Sequence, residues 1–353
     1  MPSSSAPPAS APGNRRAIAI WLLASCAMIA AMVIIGGITR LSESGLSIVE
    51  WNLVMGWIPP LSDAEWQRQF ALYRQTSEFQ LQFPNLDVEG FKSIYWWEYI
   101  HRVWGRLIGL VALAGTVWFV FVDRRTQARM KLHAIAIFVA VSLQGAIGYW
   151  MVTSGFVDRD DVSQYRLTIH LGVAIALLGY MLWLALGLLF PDDRGAAPVT
   201  ARRLATGVAG IVFLTLLSGG LVAGINAGFI FNTWPLMDGG FVPHDVLSMS
   251  PWWLNAFENL GTVQFDHRML AYATTALVLV YWLRLRLVAL HSRARRAAGM
   301  LAGMVVLQVI LGIATLLLVV PLPIAVTHQG GAVVLFALAI WNVWELSGPR
   351  KPA

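Results

Sequence analysis

The chain has 353 residues, of which 57% are hydrophobic and 12% are charged. A soluble domain carries about 25% charged residues, so this composition excludes an ordinary water-soluble protein and indicates a protein embedded in the lipid bilayer. The net charge of +6 does not indicate a nucleic-acid partner, because most basic residues lie between apolar segments. The single cysteine, Cys26, excludes an internal disulfide and a thiolate-rich metal site.

A helix needs about 20 mainly apolar residues to cross a membrane. Eight stretches meet this requirement, near 17–39, 97–122, 132–153, 165–190, 204–226, 263–288, 298–320 and 325–346. Residues 1–16 are rich in Pro, Ser and Ala, which predicts a disordered cytoplasmic tail, and 347–353 form a second tail. The predicted fold class is therefore all-α, a polytopic membrane protein with eight transmembrane helices.

Basic residues are divided unevenly between the two sides of the membrane. Sixteen of the 25 Lys and Arg lie in the tails and in alternate connections, a distribution that places both termini in the cytoplasm. The two long connections, 40–96 and 227–262, then lie outside.

The first outer connection carries a helix signal of its own. Ser62 and Glu65 have the spacing of a capping box, and apolar residues from Trp66 to Tyr73 recur at helical spacing. This pattern predicts an amphipathic helix over 62–82, either lying on the membrane or capping the helix bundle.

The chain contains an internal repeat. The members that share an offset of 183 are Gly36-Gly37, Gly45 and Trp51, which match Gly219-Gly220, Gly228 and Trp234. The later matches have offsets of 166, 164 and 158: Glu98, His101 and Arg102 with Gln264, His267 and Arg268; Gln144 and Gly148 with Gln308 and Gly312; and His170 with His328. The halves 17–190 and 204–346 each hold an even number of helices, which predicts two pseudo-symmetric parallel four-helix bundles.

Four of the seven histidines are matched by this repeat: His101, His170, His267 and His328. Each lies near the outer end of a predicted helix, so the four imidazoles share one depth in the membrane. Ionisable groups in lipid normally face the bundle interior, and neutral imidazole is a ligand of haem iron. Two histidines from alternate helices of one half could hold one haem. A structural hydrogen bond, a proton relay and a non-haem metal are the alternatives, and the last would need more carboxylates nearby.

Arg102 and Arg268 follow the first histidine of each pair, where they would bind haem propionates or anchor their helices at the membrane interface. Glu98 lies one helical turn before His101, whereas the other half has Gln264. This asymmetry indicates proton-coupled chemistry at one site only, with a helix-capping role as the alternative. Because Gln has nearly the shape of Glu, we expect a purely capping Glu98 to tolerate replacement by Gln.

Four segments resemble haem A synthase: GGITRLSESGLSIVEWNLVMGWIPPLS, YWWEYIHRVWGRLIGL, NTWPLMDG and FDHRML. The resemblance extends from the first helix to His328. It implies an oxidoreductase of the bacterial inner membrane that oxidises the C8 methyl group of haem O to the formyl group of haem A, for haem–copper terminal oxidases. It further implies that His101 and His170 hold the substrate haem, that His267 and His328 hold haem b, and that Glu98 is the essential glutamate of the family.

The chain lacks the loop cysteine pairs of some members of that family, so it resembles the proteobacterial and mitochondrial branch. The implied partners are haem O, the lipid bilayer and an electron donor that the sequence does not identify. Haem O synthase and oxidase assembly factors are further candidates, and a homo-oligomer stays open. Two alternative functions remain: a two-haem membrane b-type cytochrome that acts only in electron transfer, and a transporter built on a parallel repeat.

Overall fold

The computed structural model describes residues 12–52, 56–156, 161–190 and 197–348. Within these ranges the protein is helical, without β-strands. The helices are α1 Pro12–Leu41, α2 Asp63–Tyr73, α3 Ser77–Gln82, α4 Val88–Val117, α5 Ala128–Thr153, α6 Gln164–Leu189, α7 Val199–Gly224, α8 Asn255–Glu258, α9 Leu260–Arg286, α10 Ser292–Leu317 and α11 Leu322–Leu346. A π-helical turn, Trp118–Val122, continues α4.

Seven helices of the described ranges are long and apolar enough to cross a membrane, namely α1, α4, α5, α6, α7, α10 and α11. The prediction of an all-helical integral membrane protein is therefore confirmed. α9 has 27 residues, but Asp266, His267 and Arg268 lie near its start, and Arg284 and Arg286 lie in its last turn. These polar residues lower the mean hydropathy of α9 relative to the other long helices.

Several helices begin earlier than the apolar pattern predicts. α4 begins at Val88 because the side chain of Asp87 accepts a hydrogen bond of 2.8 Å from the backbone N–H of Gly90. α1 begins at Pro12, so residues 12–16, which the composition places in the disordered tail, are helical. The remaining residues of the two predicted tails, 1–11 and 349–353, lie outside the described residues.

The helix predicted over 62–82 is present as two shorter helices. The capping box of α2 is confirmed, since the backbone of Glu65 bonds the Ser62 hydroxyl while the Glu65 carboxylate accepts from the Ser62 backbone, both at 3.3 Å. α2 ends at Tyr73, and the Thr76 hydroxyl then caps α3 by accepting a hydrogen bond from the backbone N–H of Phe79. A threonine hydroxyl favours such a cap over a helix interior, which explains the break.

α2 and α3 cover the N-terminal end of α4, which the distribution of basic residues predicts to be its outer end. Trp66 and Tyr73 are buried, with ring centroids 5.0 Å from Tyr95 and 5.3 Å from Phe91 respectively. Of the two predicted placements, these contacts support the cap over the bundle. We call α2 and α3 the outer cap.

The long helices pack as two groups of four. α1 contacts α4 and α6, and α5 contacts the same two helices; α7 contacts α9 and α11, and α10 contacts the same two. The groups meet where α6 packs on α7 and α11, and where α1 packs on α11. Apolar residues such as Leu22, Ile175, Val278 and Leu301 fill one continuous core at these contacts. Close packing of this kind stabilises helix association in lipid.

We expect Trp66→Ala to release the outer cap while the helix bundle stays folded. The substitution removes ring contacts with Phe91, Tyr95 and Trp96, and losing a buried aromatic side chain costs about 3–5 kcal/mol. Limited proteolysis should therefore cut within residues 62–87 much faster than in the wild type. Leu81→Ala is the control, because Leu81 is 70% exposed. Equal cleavage rates in wild type and Trp66→Ala would contradict the packing.

Candidate functional site

The four repeat-matched histidines lie on α4, α6, α9 and α11, and each imidazole packs against a glycine of a neighbouring long helix. A Cβ added at those glycines would lie 2.9–3.2 Å from the imidazole Cε1 atom, which is closer than an ordinary contact. The pairs are Gly36 with His101, Gly148 with His170, Gly219 with His267, and Gly312 with His328. A larger residue at any of these positions would push the imidazole edge away from the adjacent helix backbone.

The imidazoles form two pairs. His101 and His170 lie close enough for charges on their rings to interact. The same is true of His267 and His328. In the described ranges, no group of three or more His, Cys, Asp or Glu side chains could hold a metal ion. Two imidazoles per site suit haem iron, because the porphyrin itself supplies the four equatorial ligands. The same donor set does not suit a non-haem metal held by several protein ligands.

A glutamine holds the helix of the second histidine of each pair. Gln144 donates from Nε2 to the backbone carbonyl of His170 at 2.6 Å, and Gln308 donates to that of His328 at 2.8 Å. These glutamines are members of the sequence repeat, so the same contact is made in both halves. The structure thereby gives both residues a role that the sequence alone did not assign.

Arg102 and Arg268 anchor the two outer connections. In each, Nη1 and Nη2 donate to two backbone carbonyls of the connection before the helix. The acceptors are Glu50 and Ile48 for Arg102, at 2.8 and 2.6 Å, and Thr233 and Phe231 for Arg268, at 2.9 and 2.6 Å. The acceptors of the two arginines again differ by 183 residues, so the repeat extends to this clamp.

Glu98 is 3% exposed and closes the clamp in the N-terminal half. Its Oε2 accepts hydrogen bonds from the Ser47 hydroxyl at 2.8 Å and from the backbone N–H of Ile48 at 2.6 Å. Its Oε1 accepts from Arg102, with which it forms an ion pair. All three partners are donors, so both side-chain oxygens at position 98 must accept hydrogen bonds.

Gln264 occupies the corresponding position, but the connection beside it offers hydrogen-bond acceptors where the connection beside Glu98 offers donors. Its Nε2 donates to the carbonyls of Ala227 and Ile230 at 2.9 and 2.5 Å, while its Oε1 accepts from Arg268 at 3.1 Å. The Glu–Gln difference thus matches what each connection offers, donors in one half and acceptors in the other. A Gln at position 98 would have one acceptor for three donors, so we no longer expect it to be harmless even in a structural role.

Glu78 in α3 is a buried carboxyl that the sequence analysis did not single out. It is 3% exposed, and within the described ranges its Oε2 has no hydrogen-bond partner. Burial raises the pKa of Glu78 to about 8; the Tyr73 hydroxyl opposes this shift, and the charge of Glu98 adds to it. Glu78 therefore holds a proton at neutral pH near Glu98. Its sequence surroundings, a polar stretch without a repeat match, carry no signal of this burial.

We expect Gln264→Glu to destabilise the protein, because a carboxylate there would face two carbonyl oxygens at hydrogen-bond distance. Leaving such buried groups unsatisfied costs about 1–3 kcal/mol. The thermal midpoint of the purified protein in detergent should fall. Gln80→Glu, at an exposed position of α3, is the control for the added charge. An unchanged midpoint for Gln264→Glu would contradict the observed hydrogen bonds.

The chain is similar to known proteins over nearly its whole length. A family model described as cytochrome oxidase assembly protein matches residues 19–340. Proteins named heme A synthase from Nitrosospira multiformis, Parvibaculum lavamentivorans and Rhodospirillum centenum are 46%, 44% and 45% identical to the chain. These matches cover 94%, 95% and 100% of the chain and 94%, 95% and 95% of the relatives. They confirm the resemblance found in the sequence segments, and the chain therefore belongs to the family of cytochrome oxidase assembly proteins.

Proposed function

We propose that this chain is a haem A synthase, which oxidises the C8 methyl group of haem O to the formyl group of haem A for haem–copper oxidases. Relatives of that name match nearly the whole chain at 44–46% identity. The observation that carries the proposal is the pair of matched histidine sites, each imidazole packed on a glycine of a neighbouring helix. Haem O is apolar, so a site among membrane helices suits it.

In this proposal the protein crosses the bacterial inner membrane eight times, as two pseudo-symmetric parallel four-helix bundles. α9 is the eighth span, since it packs between α7 and α10 as α4 packs between α1 and α5. The equivalent contacts of Arg102 and Arg268, and of Gln144 and Gln308, support the symmetry. Both termini face the cytoplasm, as the distribution of basic residues indicates.

The N-terminal pair, His101 and His170, holds the substrate haem, and the C-terminal pair, His267 and His328, holds haem b. When bound, haem b would supply one-electron transfer. The chain's own residues orient both groups through the glycine contacts. The Nε of Arg268 is buried without a partner among the described residues, which leaves this donor for a haem propionate. We assign Arg102 the corresponding role in the N-terminal half only because it matches Arg268 in the sequence repeat.

Converting the methyl group to a formyl group removes two hydrogens and adds one oxygen atom, so it needs an external oxidant that supplies oxygen, together with routes for protons and electrons. Glu98 lies one helical turn before His101, and Glu78 is a second buried carboxyl near Glu98, with a pKa that burial raises to about 8. We assign proton handling to Glu98, with the outer cap keeping water away from it. No flavin or nicotinamide motif occurs in the sequence, so we assign electron exchange with the haem sites to a partner protein.

A two-haem cytochrome that only carries electrons is the second candidate. The hydrogen bonds of Glu98 and Gln264 favour it in one respect, because they give the Glu–Gln asymmetry a structural cause. The two functions differ in their product, since an electron carrier would leave haem O unchanged.

We expect Glu98→Gln to lower conversion of haem O to haem A by about a hundredfold or more. Haem O and its hydroxylated intermediate should accumulate while haem b content stays normal, as measured by extraction and mass analysis. Ser47→Ala is the matched control, because it removes one hydrogen bond to Glu98 but keeps the carboxylate. Wild-type haem A yield from Glu98→Gln would refute the catalytic role. An equal loss in Ser47→Ala would assign Glu98 to holding the outer connection.

We also expect Gly312→Ala to reduce haem b content, because its Cβ would lie 2.9 Å from the His328 Cε1 and displace the ring. Gly303→Ala on the same helix is the control, since nothing lies within 4 Å of a Cβ there. His267→Ala and His328→Ala should each abolish the low-spin haem b spectrum. Full haem b occupancy after both histidine substitutions would show that the ligands are assigned wrongly.

A further inference from the structure

The two histidine sites differ in the hydrogen bonding of their imidazole Nδ1 atoms. In the C-terminal half, the Ser218 hydroxyl lies 2.8 Å from the Nδ1 of His267 and 2.8 Å from the backbone carbonyl of Thr215. A hydroxyl has one proton, and a carbonyl can only accept, so Ser218 donates to Thr215 and accepts from the Nδ1–H of His267. This arrangement puts the imidazole proton on Nδ1 and leaves the lone pair of Nε2 for a metal.

The N-terminal half has no equivalent hydrogen bond. The repeat places Ile35 at the position of Ser218, with the same offset of 183 that relates Gly36 to Gly219. In the described ranges the Nδ1 atoms of His101 and His170 are buried and have no hydrogen-bond partner. By contrast, the Gln308 side-chain nitrogen lies 3.1 Å from the Nδ1 of His328. Since all four imidazoles share the glycine contact, the halves differ in hydrogen bonding and not in this packing.

We propose that Ser218 is a positioning residue that makes the C-terminal site a permanent haem site, whereas Ile35 leaves the N-terminal site able to release its haem. A hydrogen bond accepted from Nδ1–H fixes the ring and raises the basicity of the ligating nitrogen. Resident haem b needs this retention. A product haem must leave after each reaction, so a histidine held by packing alone suits the substrate site. This inference rests on the proposed assignment of haem b to His267 and His328.

The test exchanges the two residues in the full-length protein purified with its haems. Haem release is followed by transfer to excess apomyoglobin, and haem b is followed by its low-spin spectrum and midpoint potential. We expect Ser218→Ala to speed release of haem b by about 10–100-fold, the usual effect of losing such a partner, and to shift the midpoint potential. Ser218→Thr, which keeps a hydroxyl, should restore slow release.

Ile35→Ser is the converse variant, and it should slow release of haem from the N-terminal site. Ser25→Ala is the control for loss of a serine hydroxyl from a long apolar helix, because Ser25 is 5% exposed and its hydroxyl donates to the backbone carbonyl of Trp21. Wild-type release and potential in folded Ser218→Ala would overturn the inference. Absence of any His267-dependent haem in the wild type would instead overturn the proposed function on which it rests.

Discussion

The contact between an imidazole edge and the backbone of a neighbouring helix is the constraint on which the site depends. It occurs at His101, His170, His267 and His328, each time against a glycine. A side chain at any of these glycines would move the ring or separate the helices. Helix packing and imidazole orientation are therefore set by the same four contacts. This coupling explains why glycine and histidine recur together in both halves of the sequence.

A second layer of contacts holds the outer connections on the helices that carry these histidines. Arg102 and Arg268 bond two carbonyls each, one helical position after His101 and His267. Glu98 and Gln264 complete the two clamps with opposite hydrogen-bond polarity. The N-terminal clamp is covered by the buried aromatic side chains of α2 and α3. The halves thus share a scaffold but differ in what surrounds each imidazole pair.

Local sequence patterns predicted the helical class, the histidine pairs and the capping box of Ser62 and Glu65, because hydropathy, spacing and capping act over a few residues. The break at Thr76 escaped prediction, since amphipathic spacing continues across it. The partners of Glu98 and the burial of Glu78 could not be predicted either. Both depend on how the outer connection folds back onto α4, which brings together residues about 20–50 positions apart, and no periodicity reports such contacts.

Extraction and mass analysis of the pigments bound to the purified wild-type protein tests the central claim most directly. That claim is that the two histidine pairs hold different haems, one as a permanent cofactor and one as a substrate. We expect the preparation to contain protohaem together with haem O, its hydroxylated form or haem A. Protohaem alone, at two equivalents per chain and unchanged when haem O is supplied, would contradict it and indicate an electron carrier.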